Sequence, residues 1–132
     1  MTGIVPTVGE NRLAELALKT VDMTLRLFVN DYVPVDATTA AKLVQMSTQG
    51  YVAAPLDKDF WTIEQVDGRA VGTHEEQVFT FAGGAAVSVY GYWIDAAGVV
   101  IVAERFAAPL VIEEMGDQIR LTPRIRFSKE ES

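Results

Sequence analysis

The chain has 132 residues, 49% hydrophobic and 22% charged, with a formal net charge of -7 and no cysteine. One domain of this size buries roughly two-thirds of its unfolded surface, and this composition excludes disorder. Disulfide scaffolds, thiolate metal sites and cysteine nucleophiles are excluded too, and a pI near 4.6 sets the surface against phosphate backbones, so nucleic acid is not an expected partner.

In chain order, Met1 to Val8 lacks periodicity and holds Gly3 and Pro6. It reads as an extended arm, either mobile or docked on a neighbour, with Ile4, Val5 and Pro6 as its apolar contacts. It has neither the basic start nor the long apolar stretch of a secretory leader. Thr7 and Glu10 have capping-box spacing, in which the two side chains satisfy free backbone donors of a first helical turn. Leu13, Leu16 and Ala17, then Thr20 and Val21, share one face, which predicts a short amphipathic helix from about Gly9 to Thr20.

Period two follows. Met23, Leu25, Leu27 and Val29 take one strand face, and Thr24, Arg26 and Phe28 the other. Pro34 and Asp36 to Thr39 mark a loop, and Ala40 to Met46 has room for a helical turn or two. Gly50 to Pro55 reads as a short strand with Pro55 at its edge or end. Trp61 to Val66 alternates into the turn pair Asp67-Gly68, and Gln77 to Phe81 alternates into Gly83-Gly84.

The most informative stretch is Val87 to Phe106. Two β-branched and aromatic runs flank Asp95-Ala-Ala-Gly98, a hairpin signature in which Gly98 supplies positive φ. Both runs are too apolar to face water on either side, so the ribbon is expected inside a sheet sandwich or against another chain. Pro109 to Glu114 reads as a further strand, turned at Met115 to Asp117. In the last segment Ile119, Leu121, Ile125 and Phe127 have one parity and Arg120, Arg124 and Arg126 the other, with Pro123 at a bulge or edge. Lys129 to Ser132 reads as a frayed tail.

One N-terminal helix and roughly seven or eight short strands, turned every ten residues or so, predict a mainly β domain. The expected architecture is an antiparallel β-sandwich or jelly roll over residues 9–132, preceded by the arm 1–8. The longest uncharged apolar run, Ala96 to Ala103, falls far short of the ~20 residues of a spanning helix, so no membrane association is expected.

Candidate chemistry is sparse. His74, the one histidine, sits between Thr73 and Glu75-Glu76 and reads either as a base or ligand or as a solvated residue on a polar turn between strands; adjacent strand residues point to opposite faces, which keeps Glu75 away from it. Asp57, Asp59 and Glu64 offer oxygen ligands near Trp61 without the spacing of a calcium loop. Glu113, Glu114 and Asp117 read as a solvated turn, and no sequence pattern pairs two carboxylates as a glycosidase would. No phosphate loop, nucleophile elbow or dinucleotide fingerprint is present. The expectation is no enzyme, no catalytic residue, no cofactor and no metal. Interaction residues are easier to nominate. Tyr90 and Tyr92, on one strand face with Trp93 on the other, are together with Tyr51 and Trp61 either core aromatics or a sugar-stacking surface; Arg105 either ends its strand or crosses to a neighbouring subunit's carboxylate. Arg120, Arg124 and Arg126 form a basic stripe that guards a strand edge or docks an acidic partner.

Several phrases, taken in order, resemble a group of small virion-associated proteins of tailed bacteriophages and prophages. They are Pro6 to Glu10, Leu25 to Asp31 with Pro34, Gly50-Tyr51, Trp61, Gln77 to Phe81, Tyr90 to Gly98, Ala103 to Phe106, and Gly116 through Leu121 to Pro123. The likeness runs over nearly the whole chain, with a departure at Val102, where a tryptophan is expected in the group. It carries no catalytic motif. It implies a β-rich building block repeated on a particle, foremost a capsid decoration (cement) protein that stabilises the head. The alternative is a tail- or fibre-associated module that binds host glycans. The implied partners are copies of itself in a closed ring, such as a trimer, and the major capsid or tail protein. The implied location is the virion, the head before the tail, after synthesis in the host cytoplasm.

Overall fold

The computed structural model describes residues 7–127, the first four of them as backbone only. The fold is mainly β with one helix. Its elements are α1 (Thr7–Leu18), β1 (Met23–Phe28), β2 (Ala54–Leu56), β3 (Trp61–Val66), β4 (Arg69–His74), β5 (Gln77–Thr80), β6 (Val87–Ala96), β7 (Val99–Ile112), β8 (Gln118–Leu121) and β9 (Arg124–Arg126), with 3-10 turns at Ala40–Lys42 and Lys58–Phe60. A four-stranded sheet runs β2-β1-β6-β7, a three-stranded sheet runs β3-β4-β9, and β5 pairs with β8. All pairings are antiparallel. No helix is long and apolar enough to cross a membrane among the described residues.

The main core lies between the four-stranded sheet and the two smaller ones. Leu25 and Leu27 of β1 and Tyr92 and Ile94 of β6 meet Trp61, Phe79, Ile119 and Ile125 there. These strand orders define a sandwich-like packing and not a jelly roll specifically. On the far side of the four-stranded sheet, Phe28 and Trp93 pack beneath Leu43, with Tyr32 and Tyr90 partly buried around them. The irregular segment after β1 therefore covers the second face of β1 and β6. That explains why period two in β1 is apolar on one face and mixed on the other.

Turn chemistry sets the hairpins. Asp67 and Gly68 have φ of 52 and 76, and Ala97 and Gly98 have φ of 51 and 84. Both are two-residue turns with positive φ at each position, the geometry whose twist matches paired strands. Ala97 accepts a conformation that residues with a Cβ rarely take. At the β7–β8 turn, Asp117 Oδ2 accepts from the backbone N–H groups of Glu113 and Glu114, at 3.0 Å each. These two bonds hold its carboxyl below the usual carboxylate range.

Three expectations change. The helix begins at Thr7 and ends at Leu18, so Thr7 and Val8, expected in the arm, are helical; residues 1–6, the Thr7–Glu10 side-chain pairing and the tail Lys129 to Ser132 lie outside the described residues. Its buried positions are Ala14 and Leu18, while Leu13 and Leu16 stay exposed. The cause is Gly72 of β4, whose missing Cβ leaves the space that Leu18 Cδ1 fills. Finally, the two strands expected on either side of Ala107 are one, β7, bent where four residues, Phe106 to Pro109, oppose Tyr90 alone.

Candidate interaction surfaces

β7 is the edge of the four-stranded sheet and its longest strand. β6 is buried on both faces, but β7 is not, so the expectation that both ribbons avoid water holds for one of them. Val99 is 63% exposed, and Ile101, Leu110 and Val111 are exposed as well. The segment covering the second cluster adds Val33 and Val35, both more than 60% exposed. A cleft of about 330 Å³ runs between Pro34–Thr38 and Val100–Ala103. Together these residues make an apolar flank of the kind that marks contact surfaces. Its backbone is guarded: register shifts near Ile101 and Tyr90 break the ladder with β6, and Pro109 has no N–H to donate. The flank therefore offers side chains more readily than a strand edge.

The bulge opposite Tyr90 also rearranges the aromatic residues. Tyr90 and Tyr92 do not share a face. Tyr92 joins the main core and Tyr90 packs with Trp93 in the second cluster. Tyr92 Oη donates to Glu104 Oε2 at 2.7 Å, and burial, then the Glu104 bond and charge, push its phenol above the usual tyrosine range. Trp61 and Trp93 are buried with indole N–H groups that find no hydrogen-bond partner among the described residues. A sugar-stacking surface on Tyr92, Trp93 or Trp61 is thus corrected: those rings are sealed inside the chain.

Arg105 is engaged within its own chain. It pairs with Asp31, lies 3.4 Å from Tyr32 O, and its guanidinium sits 5.2 Å over the Tyr90 ring. It staples the covering segment to β7 instead of reaching outward. The basic stripe is divided, because β8 and β9 belong to different sheets with buried Pro123 between them. Arg120 meets Glu76 at 3.2 Å. Arg124 and Arg126 flank buried Ile125, are exposed, and make no ion pair among the described residues. Ile4, Val5 and Pro6 lie outside those residues.

His74 is 2% exposed, not a solvated turn residue. Nδ1 lies 3.0 Å from Glu75 O and Nε2 3.1 Å from Asp57 O. The ring stands edge-on to Trp61 at 5.1 Å. Both nitrogens face main-chain carbonyls, so the side chain ties the Lys58–Phe60 turn to the end of β4. Asp57 Oδ1 is itself taken, accepting from Asp59 N at 2.8 Å. Asp22, Asp57 and Glu75 line a cleft of about 410 Å³ beside the imidazole, but no three metal-ligating side chains converge among the described residues. His74→Ala is expected to lower stability by about 2–4 kcal/mol through lost packing against Trp61 and Phe60 and loss of the contact with Asp57 O. Thermal unfolding would show it as a large drop in Tm; a loss below ~1 kcal/mol would refute the tie.

Sequence reasoning missed two surfaces. One is the Val33-Pro-Val35 contribution to the β7 flank, for which the alternating valines were the available signal. The other is a cleft of about 340 Å³ between Gly50–Pro55 and Gln77–Phe81, formed by segments remote in sequence. What the chain presents is a mainly β, sandwich-like domain with exposed apolar surfaces. No family model, no curated protein and no solved structure matches it.

Proposed function

We propose that this chain is a structural component of a bacteriophage particle, a decoration (cement) protein present in many copies on the head. It would act mechanically, by burying its apolar surfaces against copies of itself and against the major capsid protein. The observation that carries this reading is the β7 flank, where Val33, Val35, Val99 and Ile101 remain exposed around the cleft between the covering segment and β7. The virion-protein resemblance supports it from the sequence, and the acidic, cysteine-free composition suits a soluble building block.

A stable interface needs about 800 Å² from each partner. A protein that binds closed capsomer junctions and not opened ones raises the free energy of opening, by about 2.7 kcal/mol when its free concentration is a hundred times Kd. Quantitative mass spectrometry of purified particles tests the proposal. A decoration protein is expected at hundreds of copies per head, scaling with the capsid protein. Absence from particles, or only a handful of copies, would overturn it.

A further inference from the structure

One wall of the cleft between Gly50–Pro55 and Gln77–Phe81 is an unpaired strand edge. Phe81 N donates to Asp117 O at 2.9 Å on the β8 side, and Ala82 N donates to Gln49 O at 2.8 Å on the opposite side. Backbone groups alternate sides along a strand, so those of Phe79 and Gln77 follow Phe81 toward β8. Those of Val78 and Thr80 point into the cleft. The Ala82–Gln49 bond closes one end, and beyond it, among the described residues, no main-chain bond from Val78 or Thr80 crosses to the other wall. β5 carries no proline, no bulge and no charge to guard this edge, which sets it apart from β7. Tyr51 and Phe79, stacked at 5.9 Å, join the two walls.

We propose that this cleft accepts a strand, and that the strand is Thr2–Pro6 of a second copy of this chain. The inference rests on the reading of the protein as a multi-copy building block and names the contact that links the copies. Two stretches lie outside the described residues, and chemistry separates them. Every side chain lining the cleft is uncharged; Ser128–Ser132 brings Lys129, Glu130 and Glu131, whereas Thr2–Pro6 brings no charge and three β-branched residues. Five residues extend about 17 Å, enough to cover the ~13 Å of β5, and Pro6 ends the ladder because it cannot donate.

Reach separates a second copy from the same chain. Asn11 Oδ1 accepts from Gln65 Nε2 at 2.6 Å, which fixes the start of α1 at the turn end of β3. The cleft lies beyond the other end of β3, where Trp61 pairs with His74 and the chain continues to Gln77. From Thr7 to that level is about 6 Å of helix plus about 13 Å of strand. Residues 1–6, extended over about 20 Å, would be spent arriving, with none of Thr2–Pro6 left to pair.

The cysteine-free background makes the test direct. Chains carrying Ile4→Cys are mixed with chains carrying Val78→Cys under mild oxidation, and the disulfide-linked heterodimer is measured on non-reducing gels. Ile4→Cys mixed with Ala41→Cys is the control, since Ala41 is exposed in the turn before Leu43, on the far face of the four-stranded sheet. Capture raises the effective thiol concentration, so the Val78 pairing is expected at least about tenfold above the control. No enrichment overturns the proposal. So does a bond that forms only within one chain when both cysteines are placed together. Circular dichroism of each variant verifies the fold. Particle copy number, measured on the unmodified protein, is independent of this result, so either proposal can fail alone.

Discussion

Arg26→Ala is expected to destabilise the protein by about 3 kcal/mol, with a range of about 2–4. Arg26 Nε donates to Asp95 Oδ2 at 2.7 Å, with side-chain exposures of 29% and 8%. Among the described residues Arg26 is the one partner of that carboxylate, while its own Nη1 reaches Gln45 at 3.3 Å. Gln45 in turn donates to Tyr51 Oη at 2.9 Å, the same oxygen that accepts from Leu27 N. Removing the guanidinium strands a carboxylate inside the sheet, and the penalty comes mainly from that stranded charge. Urea denaturation reads the loss as a lower midpoint with unchanged slope. The double replacement Arg26→Met with Asp95→Leu is expected to recover most of it, because two apolar side chains remove the stranded charge. A single variant within 1 kcal/mol of the parent would show that the ion pair is not what holds β1 to β6 here.

Gly91→Ala is expected to cost about 3 kcal/mol, the upper end for overpacking, or about 10 °C in Tm at this chain length. Gly91 needs no unusual φ; it needs room. A Cβ there would stand 2.2 Å from Glu104 O and 2.5 Å from Phe28 Cζ. The first obstacle is main chain, so no side-chain rotation relieves it, and β7 would have to move off β6. Gly98→Ala is the informative contrast. Its φ is 84 and a Cβ meets nothing within 4 Å, so only backbone strain of about 1 kcal/mol is expected. Differential scanning calorimetry of the two variants separates crowding from strain. Equal losses would refute the distinction.

Local rules made part of this fold legible. Asp67-Gly68 and Asp95-Ala-Ala-Gly98 marked hairpins because turn chemistry is short-ranged, and the two faces of β1 followed from alternation over six residues. What failed was decided by distant neighbours. Period two carried Tyr90 and Tyr92 onto one face, and only the mismatch with β7 reveals the flip. Leu13 and Leu16 looked like the buried stripe of α1, yet Gly72 admits Leu18 instead. His74 stood among polar residues, and nothing local signals that carbonyls of Asp57 and Glu75 enclose it. The strand-acceptor cleft was invisible for the same reason, since its walls lie about 25 residues apart in the chain.

The flip at Tyr90 has one more consequence. β6 serves two interiors at once, handing Val89, Tyr92 and Ile94 to one and Tyr90 and Trp93 to the other, and the irregular step at Tyr90 acts as a phase shifter between the two allocations. Gaining or losing a single residue elsewhere in β6 would exchange tyrosine for tryptophan across the sheet and misassign both. Variation in length must then gather at the ends of this strand, in the Ala82–Ala86 connection and the Ala97-Gly98 tip, while its interior stays fixed in count even where side chains drift.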